Sequence, residues 1–172
     1  MIDTPQAADS EAFVLSRVFD APPALVWKAL TERDHLVKWW GPKGFTMRVA
    51  TLDLRPGGTF HYCMASPNGQ EMWGKFVYKE VVAPERLVFI NSFSDAKGGI
   101  TRHPMAPDWP LEVFNVQTLT EANGKTTLSM RGTPHNATAA ESKVFAAGHT
   151  SMQAGFKGTL DQLETYLAQS LR

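Results

Sequence analysis

The last third of the chain carries the pattern that most limits its fold. Phe145, Met152, Phe156, Leu160, Leu163 and Leu167 fall at gaps of seven, four, four, three and four residues. That spacing is one face of an α-helix. Thr138 and Glu141 stand three apart just before it, the spacing of a capping box. A long helix with one apolar face must bury that face against something, and nearly everything before it reads as strand.

"AFVLSRVF" (residues 12–19) is rich in strand formers. "FTMRVATLDL" (45–54), "RPGGTFHYCM" (55–64), "EMWGKFVYKEVV" (71–82) and "RLVFINSF" (86–93) continue the series. The turns Pro56-Gly57-Gly58, "SPNGQ" and Ala83-Pro84-Glu85 separate them. "LEVFNVQTLTE" and "KTTLSMR" flank Asn123-Gly124 and form a hairpin, because Asn-Gly supplies the positive φ of a two-residue turn. Two short helices interrupt the strands. "DAPPALVWKAL" (20–30) has Asp20 at a capping position, proline in the first turn, and Val26, Trp27 and Leu30 as its stripe. "ERDHLVKWW" (32–40) is stopped by Gly41-Pro42. Strand, two short helices, six strands and one long helix make an α+β chain, with a curved antiparallel sheet of about seven strands for the helix to cover. Residues 1–10 read as a loose tail and residues 11–172 as a single domain.

Composition excludes several roles. Seventeen basic and seventeen acidic residues balance, so nothing favours nucleic acid or an anionic membrane surface. Cys63 is the only cysteine, which rules out an internal disulfide and a cysteine zinc cluster. The polar, acidic start lacks the pattern of a secretory signal, and no apolar run is long enough to span a membrane. A soluble, cytoplasmic protein is expected. The five histidines show no metal-binding spacing, and there is no nucleophile elbow or phosphate loop. No metal and no cofactor are expected.

"FDAPPALVWKALTERDHLVKWWGP", "DLRPGGTF", "NGQEMWGKFVYKEVVAPERLVF" and "GFKGTLDQLETYL" occur in that order. In their order and spacing they resemble bacterial proteins similar to the activator of the ninety-kilodalton heat-shock protein ATPase, of the START-like (SRPBCC) superfamily. The resemblance runs from about residue 11 to residue 169. It implies a helix-grip fold, a curved sheet wrapped around a long C-terminal helix, commonly with a cavity between them. It leaves function open, since folds of this kind host unrelated activities.

The candidate lining of that cavity follows from strand phase. Phe60, Tyr62 and Met64 share one face, as do Leu87, Phe89, Asn91 and Phe93. In strand four, Trp73 shares phase with Val77 and Val81 while Met72 shares phase with Phe76 and Tyr78, and a bulge can exchange them. Either one of Trp39 and Trp40 anchors the core and the other stands at the cavity mouth, or both are simply packing; periodicity does not say which. Phe114, Phe145 and Met152 complete the apolar set. The loop "SFSDAKGGITRHPMAPDWPLE" (92–112) either closes over the cavity through Trp109 or is pinned by it to the surface. Arg102 and His103 are its polar candidates. Gly148 and Gly155, seven apart with Met152 between, either leave space under the sheet or allow close backbone packing. His149 lies beside Gly148 and is within reach of the cavity.

Three functions fit. The first is binding of a small apolar or aromatic metabolite. The second is a cyclase- or hydrolase-like enzyme using the same cavity, with Glu71 or Glu112 as carboxylate candidates. The third is a co-chaperone-like interaction module. A homodimer is compatible with all three.

Overall fold

The structure, a computed structural model, describes residues 12–170, so the expected tail at residues 1–10 lies outside the described residues. The chain runs β1 (Phe13–Phe19), α1 (Pro23–Thr31), α2 (Arg33–Trp39), β2 (Thr46–Leu52), β3 (Thr59–Ala65), β4 (Glu71–Val82), β5 (Arg86–Ser94), β6 (Ile100–Thr101), β7 (Glu112–Ala122), β8 (Lys125–His135), α3 (Ala139–Ala147) and α4 (His149–Ser170). The strands form one antiparallel sheet in the order β1-β8-β7-β5-β4-β3-β2. This is the helix-grip architecture expected, with two differences.

The sheet has an eighth strand, β6, which pairs only with Phe93 and Ser94 at the end of β5. Two residues carry no periodicity, so the sequence pattern does not reveal it. The expected long helix is also two helices. α3 ends at Gly148, whose N–H is shared between the carbonyls of Val144 and Phe145, both at 3.1 Å. Such sharing tightens a last turn, and α4 starts at the next residue. The capping box is present: Thr138 Oγ1 accepts from the Glu141 N–H at 3.1 Å, and Glu141 accepts from the Thr138 N–H at 2.9 Å. Asp20 does not cap α1. Pro22 occupies the N-cap position and Pro23 opens the helix, where a missing N–H leaves no bond unmade.

The β7–β8 hairpin pairs Ala122 with Lys125 around Asn123-Gly124, and both turn residues have positive φ. That register sets every later pair, Leu119 with Leu128, Gln117 with Met130 and Asn115 with Gly132. A bulge between Tyr78 and Glu80 settles the phase of β4. Phe76 and Tyr78 face inward before it, and Val81, paired with Leu87, packs on the core after it. Trp73 faces outward and stacks on His61 at 5.1 Å.

The concave face carries two apolar clusters. The larger joins Val26, Leu30, Leu36 and Trp39 of α1 and α2 to Phe60, Tyr78, Leu87, Leu119 and Leu128 of the sheet and to Leu160, Leu163 and Leu167 of α4. The smaller joins Phe13, Val113 and Phe145, with Trp109 and Met152 against them. Phe156 touches both. The space between the clusters is not filled by side chains. Among the described residues, no helix is long and apolar enough to cross a membrane.

Candidate functional site

A cavity of about 670 Å³ lies in that space, within the 300–1,000 Å³ typical of small-molecule sites. Its apolar wall is Phe76 and Phe89 stacked at 4.3 Å, Phe93, Trp40, Met130 and Phe13, faced by Val144, Met152 and Phe156 from the helices. The loop after β6 supplies His103, Ala106 and Trp109. Asn91, Asn115 and Gln117 put three amides on the sheet side, and Ser151 a hydroxyl on the helix side.

The tryptophan pair divides its work. Trp39 is 3% exposed and donates its indole N–H to the Ala29 carbonyl at 2.9 Å, so it anchors the core. Trp40 follows the last helical turn in an extended conformation, its ring edge-on to Phe76 at 5.5 Å, and forms cavity wall. Gly41, at φ +110°, reverses the chain, and its carbonyl accepts from Gln162 Nε2 at 2.6 Å and Thr159 Oγ1 at 3.2 Å on α4. A side chain at Gly41 would have to displace the Met64 sulfur, 2.4 Å from its Cβ, but it is the positive φ that makes the bend a glycine position.

Of the residues singled out from sequence, Trp40, Phe76, Phe89, Phe93, Trp109 and Met152 line the cavity. Phe60, Tyr62 and Met64 do not: they are buried behind Phe76 and Trp40, with Phe60 and Tyr62 stacked at 4.8 Å. Trp39 is core. Phe145 is fully buried beneath Trp109, ring centres 5.3 Å apart. His149 packs its ring against Phe13 and Phe145 and does not reach the cavity wall. Trp73 and Phe114 stand on the other face of the sheet, Phe114 against His135. Neither carboxylate candidate reaches the cavity: Glu71 pairs with Arg48 at 3.2 Å, and Glu112 is absent from its wall.

Asn115, Gln117, Phe13, Val113, Met130 and Gly132 escaped the sequence reading. The signal was present in β7. Apolarity favours the phase of Phe114 and Val116, but counting back from the Asn-Gly turn places Gln117 opposite Met130 and both in phase with Leu119 and Leu128. The inward face of β7 is thus the more polar one.

The loop that gives His103, Ala106 and Trp109 to the cavity wall is tied to α3 and braced within itself by one residue. The Arg102 guanidinium pairs with the Glu141 carboxylate on α3 and also donates to the Trp109 carbonyl at 3.3 Å. The Arg102 bond, then the Thr138 N–H, hold the Glu141 carboxyl below its ordinary pKa. Trp109 lies over Gly148, where a Cβ would stand 2.9 Å from the indole. Gly148 is therefore a close-packing glycine. Gly155 is exposed with open space beyond it and leaves no room under the sheet. His103 packs edge-on to Phe93 at 4.8 Å, and burial lowers its pKa. Burial likewise pushes the Tyr62 phenol up to about 12, partly offset by the nearby Trp40 indole. That indole N–H is buried and makes no well-formed hydrogen bond among the described residues. Among the described residues, no group of three or more His, Cys, Asp or Glu is placed to hold a metal ion.

The family described as Activator of Hsp90 ATPase homolog 1-like protein matches residues 20–168. The chain belongs to this family. The matched segment runs from the approach to α1 through nearly all of α4 and so includes every cavity-lining residue except Phe13. Solved structures similar to the chain include a protein of Mycobacterium smegmatis, 26% identical over 95% of this chain and 94% of that one, with a TM-score of 0.77. A protein of Nitrosomonas europaea is 25% identical over 98% and 97%, with a TM-score of 0.73. A Silicibacter pomeroyi protein bearing the family's name is 18% identical over 91% and 97%, with a TM-score of 0.69, a likeness of fold alone. No curated protein matches. The family and its START-like fold are those of a ligand-binding type of scaffold.

Proposed function

We propose that this family member binds a small apolar or aromatic molecule in the cavity between sheet and helix, with residues 11–172 acting as one unit in the cytoplasm. The cavity itself carries the reading: about 670 Å³ walled by aromatic and aliphatic side chains, with three amides on the sheet side. Water against such rings finds few partners, so its displacement by an apolar body is favourable. A two-ring ligand burying roughly 250 Å² of apolar surface gains on the order of 6 kcal/mol before the costs of association.

Native mass spectrometry of the purified protein, with extraction of anything bound, tests the proposal. A co-purifying small molecule, or a melting temperature raised by members of a panel of aromatic metabolites, is the expected result. An empty protein that no panel member stabilises would remove the proposal's basis.

A further inference from the structure

The polar side of the cavity specifies more than its volume does. Asn115 Nδ2 donates to the Val113 carbonyl at 3.0 Å and to Asn91 Oδ1 at 2.5 Å. A backbone carbonyl can only accept, so the Asn115 amide has one permitted orientation. Its nitrogen must face Val113, and the oxygen of Asn91 must then face that nitrogen. Among the described residues, this leaves the Asn91 N–H₂ donor and the Asn115 oxygen acceptor without a protein partner. The Asn115 oxygen lies over Gly132, where a Cβ would stand 3.3 Å from it.

Gln117, two residues on along the same strand face, is 8% exposed. Its amide lines the cavity and has no hydrogen-bond partner among the described residues. It is not among the fully enclosed polar groups left without a partner, so water reaches it in the cavity, and a ligand that displaces that water must replace its hydrogen bonds. His103 adds a donor. Its Nδ1 accepts the Met105 N–H at 3.0 Å, so the proton sits on Nε2.

Among the described residues, none that lines the cavity is Asp, Glu, Lys or Arg. Arg102, the nearby cation of the loop, is occupied by Glu141. A carboxylate or phosphate entering the cavity would lose its water and meet no compensating positive charge.

We propose that the cavity selects a neutral aromatic molecule whose polar end carries a hydrogen-bond donor and acceptor side by side, as in a carboxamide or lactam, and rejects carboxylates and phosphates. The inference rests on the cavity being a ligand site and names the chemical class that fits it. An apolar ligand of the same shape would leave the Gln117 amide and the Asn115 oxygen unpaired, the situation in which binding sites discriminate most strongly. Ser151, on the opposite wall, has its hydroxyl without a partner among the described residues and can serve the far end of the ligand.

The test uses the purified full chain and three probes sharing one body: para-phenylbenzamide, biphenyl and para-phenylbenzoate. Titration calorimetry at neutral pH should find the carboxamide bound at least about tenfold more tightly than either of the others. Gln117→Met and Asn91→Leu, tested separately, should each erase most of that preference and leave biphenyl affinity unchanged or improved. Biphenyl binding also reports that each variant still forms the cavity. If biphenyl binds the wild type as tightly as the carboxamide, or the carboxylate binds most tightly, the selectivity falls while the cavity remains a ligand site. Unchanged carboxamide preference in both variants overturns it equally. If none of the three probes binds, this inference and the reading it rests on fall together.

Discussion

Trp109 stands so close over Gly148 that a single added carbon on the glycine would lie 2.9 Å from the indole, closer than real Cβ contacts allow. The loop that carries Trp109 therefore rests on the junction between α3 and α4, and the missing side chain there is what lets it pack so closely.

Two glycines on the same helical segment should answer differently to alanine. At Gly155 the new methyl meets nothing within 4 Å, and the helix interior gains about 1 kcal/mol. Gly148→Ala should gain none of this and should shift tryptophan emission to the red as Trp109 is lifted. Urea denaturation and fluorescence of the two variants check the contrast; equal stabilisation without a spectral change would show that Trp109 does not rest on Gly148.

The two adjacent tryptophans should separate as sharply. Trp39→Ala removes a buried ring and leaves the Ala29 carbonyl without its donor, a loss of about 3–5 kcal/mol. Trp40→Phe discards an indole N–H that makes no well-formed bond, so its cost should stay within about 1 kcal/mol. Chemical denaturation of both variants gives the comparison, and a larger loss at Trp40 would reverse the assignment of anchor and wall.

Acid should loosen the loop through Glu141. Its carboxyl is held below the ordinary carboxylate value by Arg102 and the Thr138 N–H. A depressed value means the folded state favours the ionised form. The stabilisation is therefore complete above the unfolded value of roughly 4 and is lost as pH falls through the lower folded value. Glu141→Gln should flatten this part of the acid limb. Thr138→Ala, which removes the other half of the capping box, should cost about 1 kcal/mol. Melting curves of wild type and both variants across the acid range measure each effect.

Alkali acts in the opposite sense through Tyr62. Burial raises its phenol to about 12. A raised value favours the proton-bound form in the folded state, so stability is complete below the unfolded value of about 10 and declines from there up to about 12. Tyr62→Phe should keep the ring stack on Phe60 and blunt the alkaline decline. An unaltered alkaline limb in this variant would assign the decline to other groups.

Much of this protein was legible in its residues because its punctuation is local. The Asn123-Gly124 turn, the Gly41-Pro42 stop, the capping box at Thr138 and Glu141 and the period of Phe156, Leu160, Leu163 and Leu167 each act within a few residues of themselves. They suffice for seven of the strands, the two short helices, the helical C-terminal segment and the family. What they do not determine is which face of a strand meets the helix when both faces are apolar. Phe114 and Trp73 look like core by composition, yet the hairpin register and the β4 bulge turn them outward. Asn115 and Gln117 look like surface, yet the same register turns them in. The need for glycine at position 148 is equally invisible locally, since the ring packed over it comes from a loop thirty-nine residues earlier. The elements and their order are written in neighbouring residues, because turns, caps and periods are short-range effects. Which aromatics fill the core and which line the cavity is settled in three dimensions, because that depends on how far apart sheet and helix are held by the clusters at either end.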